Sequence, residues 1–320
     1  MKKIISKYID KLFVKQWTIG VSRGNIGEII RNKTFNLNIE WLPIKSINRF
    51  SADPFLFRKN GSYNIFFEDF TFHDQYGKIS VMTIDECFKQ ADYKILLDTK
   101  SHLSYPFVFT ENNKIYVFPE ASKSGKLSCY EYDHVSKSLI FLQDIIELPL
   151  LDSTILSHDN KYWLFGTLSG NDSYKLYVYF SNSLLGPYTP HINNPVKNAL
   201  NGTRPAGNFI EVDGVIYRPS QNCENRYGES ITINKIVLLN EFNVVEEPYM
   251  SICLNKRDNY NNGMHTIHTI NAIDDIIVVD SKKWTFSPIN QLRNFVKNRA
   301  RLKRLKRAGY ANKTNRSKLI

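Results

Sequence analysis

The sequence predicts an all-β protein, a five-bladed β-propeller closed by N-terminal strands and followed by a basic C-terminal helix. Three observations predict it. A hairpin-like unit recurs along the chain at near-constant spacing. Two further strand-like runs follow most of these units, giving four strands per repeat. Aromatics make up 13% of the residues, with 18 Tyr and 20 Phe, which suit pleated, half-buried surfaces.

The five hairpins read SADPFLFRKNGSYNIFFEDF from Ser51, LSYPFVFTENNKIYVFPEAS from Leu103, LLDSTILSHDNKYWLFGTLS from Leu150, GTRPAGNFIEVDGVIYRPSQ from Gly202 and GMHTIHTINAIDDIIVVDSK from Gly263. Each opens on a polar or Tyr anchor: Asp53, Tyr105, Asp152, Arg204 and His265. The anchors lie 52, 47, 52 and 61 residues apart. Each hairpin turns on Asn, Asp, Gly or Lys, which accept tight or left-handed backbone. The fifth unit has no third and fourth strand of its own. QWTIGVSRG (Gln16–Gly24) and IEWLPI (Ile39–Ile44) supply them, so that first and last strands share a blade and the ring has no open edge. Residues 1–47 are thus a closing segment, 48–285 the propeller, and 286–320 a basic amphipathic helix and tail.

Composition narrows the function. Of the 42 Lys and Arg, 11 lie from Arg293 onward, where there is no Asp or Glu; this leaves 31 basic side chains against 31 acidic in the rest. A neutral body argues against nucleic acid as a partner. The N-terminus has no uninterrupted apolar run, so no signal peptide is expected, and no stretch approaches the ~20 apolar residues of a membrane span. The four cysteines, Cys87, Cys129, Cys223 and Cys253, form no CxxC pair and read as reduced, mostly buried thiols. The expected location is cytoplasmic, with a peripheral position on the inner membrane face. In the tail, Ser287 and Pro288 can start a helix and Gly309 can end it. Ile289, Leu292, Phe295, Val296, Leu302 and Leu305 fall mainly on one face. That face either packs on the barrel wall or attaches, with its basic neighbours, to an anionic membrane surface.

In a propeller the first strand of every blade lines the central channel, so the five anchors converge at one rim. Glu68-Asp69, Glu120, Gln221-Asn222 and Asp280, at the ends of second strands, should lie near it, with the loop Ser220–Ser230 as a wall. Asp53, Glu120 and Asp152 are the candidate catalytic carboxyl groups, since glycosidic chemistry needs two across the bond. Glu68, Tyr105, Arg204, Gln221, Asn222, Arg226, Tyr227, Glu229 and His265 are the candidate substrate-binding residues. Carboxylates and amides pair with vicinal hydroxyls, aromatic faces accept sugar rings, and Arg204, Arg226 and His265 can hold a phosphate. His265 and His268 are three apart on one strand and so face opposite ways. No cofactor or metal site is predicted, and no motif stands behind a divalent cation. An Asp at a strand start is often only a turn or cap residue; five polar anchors at one repeat position weaken that alternative.

SADPFLF with FFEDF, YPFVF with IYVFPEAS, LDSTIL with YWLFGT, and LGPYTPHINNPVK followed by TRPAGNFI and YRPSQNC..RYGESI resemble the N-terminal propeller of glucosamine inositolphosphorylceramide transferases, from about Phe50 to Asp280. More distantly the chain resembles five-bladed arabinanase- and invertase-like glycoside hydrolases. In those hydrolases an Asp begins blade one, which Asp53 matches. Tyr105 and Asp152 stand where they carry an Asp and a Glu, a departure that argues against ordinary hydrolysis. The resemblance assigns glycosyl transfer to a separate C-terminal domain not found in these 320 residues. It implies sugar handling in cell-surface glycan or glycolipid biosynthesis: glycosyl transfer or a direct accessory to it, acting on a sugar or sugar phosphate. The alternatives are a non-catalytic sugar-binding module serving a partner glycosyltransferase, and an atypical glycoside hydrolase.

Overall fold

The structure is a computed structural model that describes residues 12–43, 46–59, 61–170, 174–254 and 259–307. The expected turn residue Asn60, the end of the second closing strand at Ile44, and Gly309 with the tail after Arg307 lie outside the described residues, as do the side chains of Leu302 and Leu305.

The chain enters as β1 (Phe13–Arg23), passes through helix α1 (Ile26–Asn32) and returns as β2 (Glu40–Trp41). Blade one is β3 (Arg49–Lys59), β4 (Ser62–Thr71), β5 (Tyr76–Ile84) and β6 (Gln90–Leu97). Blade two is β7 (Ser104–Glu111), β8 (Lys114–Glu120), β9 (Leu127–Asp133) and β10 (Ser138–Ile146). Blade three is β11 (Leu150–His158), β12 (Lys161–Leu168) and β13 (Lys175–Ser181), edged by the two-residue strands β14 (Thr189–Pro190) and β15 (Lys197–Asn198). The prolines of that segment leave no room for a regular fourth strand. Blade four is β16 (Asn201–Pro205), β17 (Ile210–Val212), β18 (Val215–Asn222), β19 (Ser230–Leu239) and β20 (Val244–Ile252). Then come β21 (Ile267–His268), β22 (Ile276–Phe286) and helix α2 (Pro288–Arg307).

The fifth blade has the order β2-β1-β22-β21. β1 pairs antiparallel with β22 along its whole length, from Phe13↔Phe286 to Arg23↔Ile276. The two ends of the chain therefore close the ring, as the missing strands of the fifth repeat require. The core lies between blades. Phe55, Phe66, Phe107, Phe118 and Leu164 pack across blades one to three, and Ile19, Leu56, Phe67 and Val278 join blade five to blade one. At about 1.5–3 kcal/mol for each large apolar side chain fully buried, these seams hold the ring together.

Helix α1 was not expected from the closing segment. Asn25 accepts the Glu28 amide at 2.9 Å, and Ile26, Ile29 and Ile30 pack on Ile210 and Val212 of blade four. Asn25-x-x-Glu28 before an apolar pair is a capping-box signal that could have found it. Helix α2 forms where predicted but does not pack on the wall through its apolar face. Asn290, fully buried, donates to the Ile47 carbonyl at 2.9 Å. Asn294 accepts from Gln75 at 2.9 Å. Ile289, Leu292, Phe295 and Val296 instead point outward, 57–66% exposed. The four cysteines form no disulfide, and Cys87 and Cys253 are exposed, so only half of them are buried.

Candidate active site

The inner strands place four of the five anchors on β-bulges. The pairing register slips between Ala52 and Phe55, Ser104 and Phe107, Leu151 and Thr154, and Asn201 and Pro205. At the first three slips the anchor itself takes a positive φ: 52° at Asp53, 39° at Tyr105 and 50° at Asp152. Such backbone costs a non-glycine residue on the order of 1 kcal/mol or more and is concentrated at functional sites. The bulge swings each anchor amide out of its own ladder. Pro54, Pro106 and Pro205 follow three of the anchors and have no N–H to lose there.

Carboxylates receive three of the displaced amides, those of Asp53, Tyr105 and Asp152, each from a neighbouring blade. Tyr105 N–H donates to Asp53 Oδ2 at 3.2 Å. Asp152 N–H donates to Glu120 Oε2 at 3.2 Å. Asp53 N–H donates to Asp280 Oδ2 at 3.0 Å, and Asp280 Oδ1 accepts the amides of His265 and Thr266, both at 3.0 Å. Asp53 Oδ1 also takes the Thr266 hydroxyl at 2.9 Å. The anchors thus converge at one end of the axis, where Asp53, Glu68, Glu120, Asp152 and Asp280 are all buried.

Two cations face these five carboxyl groups. Arg204 Nε donates to Asp152 Oδ2 at 2.7 Å, and Gln221 Nε2 reaches the same oxygen at 3.0 Å. His265 Nδ1 lies 2.6 Å from Asp280 Oδ2 and 3.4 Å from Asp53 Oδ1. Burial disfavours the imidazolium, but Asp280 and Asp53 outweigh it and raise the His265 pKa. Burial, with Asp152 alongside and Arg204 opposing, pushes Glu120 up to about 8. Burial lifts Asp53 to about 6, against the pull of His265. Glu68 is driven well up by burial and the charges of Asp53 and Glu120; its Oε1 is buried with no hydrogen-bond partner. The site therefore offers a carboxylic acid that keeps its proton at neutral pH, Glu120, beside a carboxylate poised to ionise, Asp53. That is the separation of roles that acid–base chemistry needs.

The remaining predicted residues divide. Tyr105 lies below the carboxylates as a plug: its hydroxyl is 2.9 Å from Thr154 Oγ1 and accepts the Gly207 amide at 2.7 Å. Gly207 is needed there, with φ 133° and a would-be Cβ 1.8 Å from the Ile267 carbonyl oxygen. Tyr227 stands at the mouth, 41% exposed, with its ring 5.5 Å from that of His265 and the Arg204 guanidinium over it at 5.3 Å. Arg226 is exposed on the same loop. Asn222 and Glu229 turn back on the loop, accepting from the Glu224 and Asn225 amides. Arg204 is held by Asp152, which makes it a charge partner for that carboxylate before it can serve as a phosphate clamp. Asp69, expected beside Glu68, points to the opposite face of its strand and pairs with Arg49 of the same blade.

Sequence reasoning singled out neither Trp17 nor Lys282. The Trp17 ring lies 3.8 Å from that of His265, and the Lys282 ammonium sits 4.4 Å from Trp17 while donating to the Tyr227 carbonyl at 2.6 Å. Burial, then the nearby Lys15 and Arg226, lower Lys282 to about 7. A lysine following the apolar run of β22 was the only signal. Among the described residues, Asp53, His265 and Asp280 are the group whose ligand atoms come within 4.8 Å of one another and could hold a cation. Their hydrogen bonds to one another and to backbone amides already satisfy most of these atoms. His268 lies at the other end of the channel, accepts the Leu56 amide at 3.1 Å and is lowered by burial to about 3. It lines an open funnel of about 660 Å³ with Phe107, Ile155, Phe209 and Ile270. The two ends of the axis are thus chemically unlike, one lined by carboxylates and one of mixed lining, where Arg58, Lys59, Asn113 and Asn208 stand among apolar side chains.

Residues 43–285 match the family described as glucosamine inositolphosphorylceramide transferase 1, N-terminal. The chain belongs to this family. It is 34% identical over 230 residues to glucosamine inositolphosphorylceramide transferase 1 of Arabidopsis thaliana, covering 69% of this chain and 30% of that one. The protein of the same name from Oryza sativa subsp. japonica is 34% identical over 208 residues, 63% of this chain and 28% of that one. The chain therefore spans under a third of the curated relatives it matches. Among solved structures it is similar to Zg3597, a family 117 glycoside hydrolase of the marine bacterium Zobellia galactanivorans, with TM-score 0.53, 13% identity, and coverage of 87% and 92%. It is also similar to the GH43 protein BlXynB of Bacillus licheniformis, with TM-score 0.50, 12% identity, and coverage of 69% and 52%. At such identities the likeness concerns the fold. The family's propeller is the domain whose axial end has just been described.

Proposed function

We propose that the axial site handles a sugar or sugar phosphate in the assembly of a cell-surface glycan or glycolipid, by glycosyl transfer. One observation carries this reading: three buried carboxyl groups, Asp53, Glu120 and Asp152, meet at the axis in three different electrostatic settings. Glu120 is the acid that protonates a leaving oxygen. Asp53 is the base, or the carboxylate that steadies positive charge on the sugar ring. Asp152, fixed by Arg204 and Gln221, orients hydroxyl groups. Tyr227 and Trp17 give the ring flat surfaces, while Arg226, Lys15 and Lys282 supply positive charge for a phosphate at the mouth. The names of the plant relatives, which couple a sugar to an inositol phosphate lipid, support the sugar-phosphate class.

The test is product formation from candidate nucleotide sugars and glycans. Glu120→Gln should lower turnover by about 10²-fold or more, the usual range for losing a positioned acid. Unchanged turnover in Asp53→Asn, Glu120→Gln and Asp152→Asn would remove the catalytic assignment.

A second reading has its own observation. Both oxygens of Asp53, and Oδ2 of Asp280, already accept hydrogen bonds from neighbouring blades, as structural staples do. On that reading the propeller binds sugar without turnover and serves a partner glycosyltransferase. Calorimetry then shows glycan binding that Arg226→Ala or Tyr227→Ala abolishes, with no product from the intact chain.

A further inference from the structure

The outward face of α2 has no partner among the described residues. Ile289, Leu292, Phe295 and Val296 lie on the side opposite Asn290 and Asn294, the residues that fasten the helix to the propeller. The apolar strip does not stop at the helix. Phe286 (57% exposed) and Trp284 (46%) continue it along the end of β22. Phe13 packs on Phe286 at 5.5 Å, and Leu12 is tied to Ser287 by a 2.9 Å backbone bond. Cations border the strip: Lys15 lies 5.4 Å from the Trp284 ring, and Arg299 lies 5.6 Å from the Phe295 ring.

We propose that α2 and the adjoining end of β22 dock this protein on an anionic lipid surface. Charge selects the occupant. From Arg293 to the end the sequence has 11 Lys or Arg and no Asp or Glu, while the rest is balanced. A second copy of the chain packed face to face would bring two such tails together, like charge against like. A bilayer with anionic headgroups accepts both the cations and the apolar strip, and tryptophan and phenylalanine flanked by lysine and arginine suit its interface. The helix is fastened at Ile47, just before β3, and at Gln75, in the turn after β4. Both lie at the end of blade one nearest Asp53 and Glu68, so a docked helix holds the lipid at the same end of the propeller as the axial site. The docking claim rests on this surface and not on the chemistry proposed for the site.

Vesicle flotation of the full chain tests it. The protein should float with vesicles of phosphatidylcholine and phosphatidylserine and stay behind with phosphatidylcholine alone. Leu292→Glu with Phe295→Glu should cut the bound fraction at least about tenfold by removing apolar burial and adding like charge to the headgroups. Val135→Glu, at a still more exposed apolar side chain in the β9–β10 turn, should leave it unchanged. Melting curves check that each variant folds. Equal flotation of the double variant, or equal binding to neutral vesicles, overturns the proposal. So does light scattering that shows a dimer of the wild type dissolved by the same double substitution, which assigns the face to a second copy.

Discussion

Replacing Glu120 by Gln asks whether the buried acid is protonated in the folded protein, and it needs no substrate. Glu120 is held near 8 instead of the ordinary 4.5, chiefly by burial and then by Asp152. A folded-state pKa above the unfolded value means the folded chain binds the proton more tightly. Its contribution to stability is complete below the unfolded pKa and is lost as pH rises through the folded one. Each tenfold step in proton affinity is worth about 1.4 kcal/mol. Between about pH 5 and about pH 8.5 the wild type therefore loses roughly 4 kcal/mol through this group, about 6 °C in Tm for a chain of this size. Gln keeps the shape and the carbonyl oxygen that accepts the Asp152 amide, but it has nothing to ionise. Its Tm should match the wild type at about pH 5 and exceed it progressively towards about pH 8.5, as followed by circular dichroism. Asp53 and Glu68 shift the same way, so both proteins weaken with pH and the difference between them isolates Glu120. A difference that stays constant with pH would mean that Glu120 is already ionised in the fold, and the acid role would fall with it.

Two further changes probe how the site is supported. Arg218 is fully buried, donates to Glu246 at 2.8 and 2.7 Å and to the Thr203 carbonyl at 3.4 Å; Arg218→Met should cost about 3 kcal/mol in urea unfolding, at the low end for a broken buried pair because Lys197 still reaches Glu246. Burial opposes the ionised Glu246, but Arg218 and Lys197 outweigh it and depress its pKa, so the gap between wild type and variant should narrow as pH falls below about 4.3. Gly207→Ala places a methyl group against the Ile267 carbonyl and should cost more than about 4 kcal/mol or abolish soluble expression. Gly214→Ala, where nothing lies within 4 Å and φ is 74°, should cost only about 1 kcal/mol of backbone strain in the same urea assay.

The ring was legible because its signal is repetition. Five anchors at similar spacing and the missing strands of the fifth unit together required the β1–β22 pairing. The convergence of Asp53, Glu120, Asp152, Arg204 and His265 followed from that geometry. Their division of labour did not. That Arg204 is taken by Asp152, that Tyr105 plugs the floor, and that Trp17 and Lys282 frame His265 all depend on contacts between residues far apart in sequence. Helix α2 shows the same limit. Its amphipathic pattern was plain, but the pattern could not say which face meets the propeller. Two asparagines decide that, each through a single hydrogen bond.

The site and the ring are made by the same side chains. Closing five blades brings Asp53, Glu68, Glu120, Asp152 and Asp280 together, an arrangement that like-charge repulsion and lost hydration oppose. The structure offsets it with Arg204, with His265 and with the bulged amides that Asp53, Glu120 and Asp280 each receive from a neighbouring blade. Pairing along the whole of β1 and the apolar seams between blades supply the cohesion that this crowding removes. A carboxylate at an anchor therefore has two tasks, and truncating it confounds them. Asp53→Ala would free the amide of Tyr105 and the hydroxyl of Thr266, so lost activity alone would not separate chemistry from collapse. The amide variant keeps one acceptor oxygen while removing the charge, and only a pairing of activity with Tm in that variant assigns Asp53 to the reaction or to the ring.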